Sequence, residues 1–153
     1  MRVYRLCKRK YADALSGAGA ALAGGRWNSR GIGMVYTSGS RALSLLEAYV
    51  HLPSGTIPDN YVMMRIDIPD TLSRNTIGID TLPADWTRDR GILKTRAIGD
   101  RFIASHSACV LQVPSAIVPG DYNYLINPDH PDFDKVNILS VDDFPFDERM
   151  FRL

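Results

Sequence analysis

The sequence is poor in cysteine, with only Cys7 and Cys109. Two thiols alone supply neither a disulfide framework nor a four-ligand zinc site. Both lie in apolar, strand-like segments, where a buried and inert thiol is the ordinary outcome. The three histidines, His51, His106 and His130, stand at spacings that suit no metal site. No uncharged run of about twenty apolar residues occurs, so no membrane span is expected. The opening MRVYRLCKRKY has no apolar stretch of signal-peptide length, which leaves the cytoplasm as the default compartment. An excess of either charge is missing too, since 18 basic residues meet 17 acidic ones. Nucleic-acid binding domains usually carry a clear basic excess, so direct nucleic-acid binding is not expected.

What is present is a globular composition. The 153 residues are 45% hydrophobic and 23% charged, which suits one compact domain over 1–153. A chain of this size buries roughly 70% of its unfolded surface, enough for a core without staples. Strands are expected over 2–7, 33–37, 60–68, 109–113, 122–126 and 136–141. Ser40 is placed to cap a helix from Arg41 to about Leu52, stopped by Pro53. A second helix is expected over 95–105, while 12–25 forms a helix or turn ending at Gly24-Gly25. The stretch 70–94 is turn-rich, and an acidic tail follows the last strand. Strands outnumber helices and the two do not alternate regularly, which indicates a mixed α+β domain.

The glycine cluster GAGAALAGG, residues 17–25, has Leu22 where a dinucleotide fingerprint needs its third glycine, so a flexible turn is the better reading. The P-loop and the Gly-x-Ser-x-Gly elbow are absent. More informative is Gly25-Arg26-Trp27-Asn28, then Gly31, then Val35-Tyr36-Thr37-Ser38. The planar fork of Arg26 suits two-toothed binding of phosphate oxygens, and Tyr36 suits stacking on a flat heterocycle. Residue chemistry alone favours a structural reading, with Arg26 on a carboxylate and Trp27 filling the core. Glu47 borders the apolar helix face of Leu43, Leu46 and Val50, so its carboxylate needs a partner or a task. His51, four residues on, is a candidate partner. Ser115 has no histidine at a triad spacing and is better placed to hydrogen-bond than to attack. The run Asn127-Pro128-Asp129-His130-Pro131 is a turn by composition, with His130 as its cap.

Taken in this order, the pieces resemble the RES domain, a family named for an arginine, a glutamate and a serine. The resemblance covers about residues 4–133. It rests on GGRWNSRG, on VYTS followed by LLEAYVHL, and on VPSAIVP followed by NYLINPDHPDF. It puts Arg26, Glu47 and Ser115 at the name-giving positions and Tyr36 at the active-site tyrosine. It implies a fold similar to ADP-ribosyltransferase toxins, a split mixed β-sheet core with flanking helices. It also implies an enzyme with NAD as substrate and no permanently bound cofactor, either degrading NAD or ADP-ribosylating a protein. The implied partner is an antitoxin with a helix-turn-helix DNA-binding domain, the toxin being a homodimer within a larger complex.

In that reading Glu47 serves the nicotinamide ribose, Arg26 the diphosphate and Tyr36 the nicotinamide ring. Ser115 binds the ribose or orients Glu47, while Trp27, Asn123 and His51 complete the binding residues. The sequence departs from the family pattern at Gly120-Asp121, at Arg96 and over 88–91. The remaining alternative is a non-enzymatic interaction domain in which Arg26 and Glu47 pair with each other.

Overall fold

The computed structural model describes residues 1–152. Seven strands form one sheet: β1 (Arg2–Lys8), β2 (Val35–Ser38), β3 (Tyr61–Asp67), β4 (Arg74–Thr76), β5 (Val110–Pro114), β6 (Tyr122–Ile126) and β7 (Asn137–Asp143). Their spatial order is β4-β5-β6-β2-β1-β3-β7. Every neighbouring pair is antiparallel except β4 with β5. Three α-helices accompany them among the described residues, α1 (Ala18–Ala23), α2 (Arg41–Tyr49) and α3 (Ile92–Ser105). None is long and apolar enough to cross a membrane. The mixed α+β expectation holds.

The sheet has a weak line between β1 and β2. These strands share one register pair, Tyr4 opposite Ser38, whereas β1 and β3 pair from Arg2 to Lys8. Two groups that a full ladder would use are satisfied by side chains. The Leu6 N–H donates to Ser44 Oγ of α2 at 2.8 Å, and Arg5 Nη1 donates to the Tyr36 carbonyl at 3.3 Å. The sheet is thereby split into β4-β5-β6-β2 and β1-β3-β7, with α2 wedged at the join.

Alternation of side chains gives the sheet two buried faces. Val3, Val35, Val62, Met64, Ile66, Val110 and Ile126 fill one, under Ala12 and Leu15 of the loop after β1. Cys7 and Cys109 are buried there as free thiols. Leu111, Val113 and Leu125 point to the other face, where Phe102 and Ile103 of α3 pack on them. Burying each such side chain stabilises the fold by roughly 1.5–3 kcal/mol. Tyr36, Ser38 and Asn123 share this second face by the same alternation, which sets the site on the side that carries the helices.

The acidic tail is not a tail. Phe146 packs edge-on to Tyr61, Phe144 and Phe151, and Phe151 packs on Tyr49 of α2. The Tyr49 hydroxyl also donates to the Met150 carbonyl. Residues 144–151 thus form an aromatic clasp over the end of α2.

Candidate active site

Ser40 caps α2 as its sequence position implies, accepting from Leu43 N at 3.1 Å. Leu43 and Ser44 are buried against the sheet, which brings Glu47, one turn on, over the ends of β5 and β6. Glu47 Oε1 accepts two hydrogen bonds, from Ser115 Oγ at 2.8 Å and from Asn123 Nδ2 at 2.5 Å. Among the described residues Oε2 has no donor. Ser38 Oγ donates to Asn123 Oδ1 at 2.7 Å, which fixes the amide so that its NH2 faces Glu47. Ser115 Oγ in turn accepts from the backbone N–H groups of Ile117 and Val118, at 3.1 and 3.0 Å. A hydroxyl holding two donors is committed to giving its own proton to the carboxylate. Glu47 is therefore gripped on one oxygen and open on the other.

The second half of the site is the loop between α1 and β2. The Tyr36 hydroxyl accepts from Trp27 N at 3.0 Å and donates to Asn28 Oδ1 at 2.7 Å. Asn28 is buried, and its amide donates to the carbonyls of Ala20, Ser29 and Ile32. Burial pushes the Tyr36 phenol far above its ordinary pKa, so this hydroxyl stays neutral. Gly25 is required beneath it, because a Cβ there would lie 2.5 Å from the Tyr36 oxygen. Thr95 Oγ1 of α3 donates to the Arg26 carbonyl at 2.6 Å, and Arg26 Nη1 donates to the Trp86 carbonyl at 2.7 Å. The loop is thus tied to both β2 and α3, with part of the guanidinium left over. Tyr36 and Ser38 are two residues apart on one face of β2, a rise of roughly 6.6 Å. One strand therefore sets the spacing between the arginine loop and the glutamate network.

Arg26, Tyr36, Glu47, Ser115 and Asn123 are all built into this arrangement. Two other expected residues are not. Trp27 is core: 3% exposed, its ring centroid is 6.1 Å from that of Trp86, and α3 presses on its backbone at Gly99. It supports the loop instead of lining a ligand site. His51 is exposed and makes no bond to Glu47. The reason is local, for α2 ends at Tyr49, and the tightened turn beyond it, with His51 N donating to the Ala48 carbonyl, breaks the i,i+4 register. Nor do Arg26 and Glu47 pair with each other; their partners are the Trp86 carbonyl and the Ser115–Asn123 pair. Ser38, Asn28 and Thr95 were not singled out from sequence. The signal for Ser38 was its place two residues after Tyr36 on one strand and that for Asn28 its place beside Arg26 and Trp27, while Thr95 gave none.

The model of the RES domain matches residues 2–147. A "Prs ADP-ribosylating toxin" of a Sphingobium species is 41% identical over 143 residues, spanning 92% of this chain and 89% of that protein. A "Toxin Res" of Photorhabdus laumondii is 38% identical, covering 99% of this chain and 98% of the relative. In fold, the chain is similar to a structure described as the M. tuberculosis MbcT–MbcA toxin–antitoxin complex. The TM-score is 0.72 with 20% identity, covering 94% of this chain and 84% of that one. Matched over nearly its whole length by that domain model and by these relatives, this chain belongs to the RES domain family.

Proposed function

We propose that the protein is the toxin of a toxin–antitoxin pair and cleaves NAD between nicotinamide and its ribose. The observation that carries this reading is the one-sided grip on Glu47, which leaves a carboxylate oxygen free near the strand whose Tyr36 holds the loop bearing Arg26. In the reaction the C1′–N bond breaks and its electron pair leaves with nicotinamide, whose ring charge is thereby neutralised. Positive charge grows on the ribose, and a fixed anion lowers the energy of that state most. Glu47 Oε2 serves this role. Ser115 and Asn123 prevent the carboxylate from turning away, so no reorganisation is needed as charge develops. Arg26 holds the diphosphate and the half-buried Tyr36 borders the nicotinamide. A water oxygen then adds to C1′ and releases a proton, giving ADP-ribose.

Transfer to a protein side chain is the second reading, favoured by the name of the Sphingobium relative. The two differ in the acceptor alone. Further elements of the proposal are a cytoplasmic site of action and a partner antitoxin with a helix-turn-helix DNA-binding domain. The toxin itself acts as a homodimer within the larger complex.

The test is to mix purified protein with NAD and follow nicotinamide release, with Glu47→Gln as control. Release by the wild type alone supports cleavage, and label from adenine-labelled NAD appearing on protein favours transfer. No release from folded wild-type protein, either alone or with a cell extract supplying acceptor proteins, overturns both.

A further inference from the structure

A second arginine lies against the arginine loop and has no carboxylate. Arg96 of α3 donates from Nε to the Gly25 carbonyl at 2.8 Å. Its Nη2 is 3.4 Å from where a Cβ on Gly24 would stand, and Gly24 itself has φ 72°, open to glycine alone without strain. Arg26 is the next residue of the same loop, tied to α3 by the neighbouring Thr95. Among the described residues neither Arg26 nor Arg96 forms an ion pair. The carboxylate one turn on from Arg96, Asp100, is taken by the backbone N–H and hydroxyl of Ser29, at 2.9 and 2.6 Å. Both guanidinium charges act on the Tyr36 hydroxyl, that of Arg96 more strongly than that of Arg26, and Asp100 opposes them. Two half-buried cations held on one loop, neither of them in an ion pair among the described residues, favour a ligand that supplies the anion.

Resting on the reading that NAD is the substrate, we infer that Arg96 is a second diphosphate-binding residue, which with Arg26 makes the site select dinucleotides and nucleoside diphosphates over monophosphates. Each guanidinium is held by one N–H on a backbone carbonyl, Trp86 for Arg26 and Gly25 for Arg96. The remaining donors of each are thereby aimed without further loss of side-chain freedom. A diphosphate linkage carries one negative charge on each phosphoryl group, so two arginines match it group for group. A monophosphate engages one of them and leaves the other unpaired.

The test uses binding, independent of turnover, with ADP and AMP as probes. Arg96→Gln keeps a side-chain N–H for the Gly25 carbonyl and removes the charge. The expected result is that wild type binds ADP more tightly than AMP. Arg96→Gln then weakens ADP by about tenfold or more, changes AMP little, and leaves the melting temperature unchanged. Arg96→Lys, which keeps the charge, recovers part of the ADP affinity. In turnover, Arg96→Gln raises KM for NAD with kcat retained. A merely structural role would lower the melting temperature and weaken both probes alike, and that outcome overturns the inference. So does wild-type protein that does not distinguish ADP from AMP. Protein that shows the ADP preference yet releases no nicotinamide refutes the proposed reaction and leaves this site standing. Protein that turns over NAD with no effect of Arg96→Gln refutes this site alone.

Discussion

Glu47 receives both of its hydrogen bonds on Oε1, so its charge and its orientation can be removed separately. Glu47→Gln retains shape and an acceptor oxygen but loses the charge. Turnover at saturating NAD should fall by about 2.7–4 kcal/mol of transition-state stabilisation, roughly a hundred- to a thousandfold, with a smaller change in NAD affinity. Turnover within about threefold of wild type, in protein of equal melting temperature, would remove Glu47 from the chemistry. Ser38→Ala touches no substrate in this scheme. It releases the Asn123 amide, and its effect should fall on kcat, by less than that of Glu47→Gln. Tyr36→Phe leaves the Trp27 N–H and the Asn28 oxygen without a partner, which should cost about 1–3 kcal/mol in stability, read by denaturant unfolding. The buried Cys109 gives a pH signature. Burial, with a smaller push from Asp132, raises its thiol from 9.0 to about 11. In the unfolded chain the thiol ionises first, so the native state holds the extra proton and its stability falls as pH rises through that window. Thermal melts from pH 9 to 11 should show this decline, and Cys109→Ala should flatten part of it.

At the scale of elements, local signals were legible and long-range ones were not. The hydrophobic pattern over 122–126 and the Ser40 cap gave β6 and the start of α2, because alternation and capping are written in neighbouring residues. Strand β4 left no trace, since its three residues are polar, exposed and paired in parallel on the edge of β5. Helix α3 begins at Ile92, earlier than the expected 95, because Gly91 ends a 3-10 turn that runs directly into it. The site divides in the same way. Arg26, Tyr36, Glu47 and Ser115 stood out through motif order, but the fate of Trp27 depends on Trp86 and Gly99, far away in sequence. So does the service of Arg96 on the Gly25 carbonyl. The α3–loop contact makes a sharp prediction. A Cβ at Gly99 would lie 1.7 Å from the Trp27 carbonyl oxygen, with rigid backbone on both sides. Gly99→Ala should force α3 away from the arginine loop, lowering the melting temperature markedly and abolishing nicotinamide release.

Across the whole molecule, the aromatic clasp and the split sheet belong to one arrangement. The tail looked acidic because Asp142, Asp143, Asp147 and Glu148 dominate its composition, while Phe144, Phe146 and Phe151 follow no strand or helix period. Those rings rest on Tyr61 of β3 and Tyr49 of α2, and so bind the helix that carries Glu47 to the β1-β3-β7 half. Phe146→Ala removes three edge-on contacts, each contributing about 0.5–1.5 kcal/mol beyond its buried area. The expected outcome is a lower melting temperature together with reduced turnover, since α2 loses its tether. Retained turnover in a destabilised variant would separate the clasp from the site. Neither half of the sheet is a continuous stretch of chain, because the polypeptide passes between them at β1–β2, β2–β3, β3–β4 and β6–β7. On a ribosome, therefore, the half opposite the site lacks an outer strand until β7 emerges, and the tether on α2 follows later still. Under the proposed function, the held geometry of Glu47 would therefore be complete only once residues 144–151 have been made.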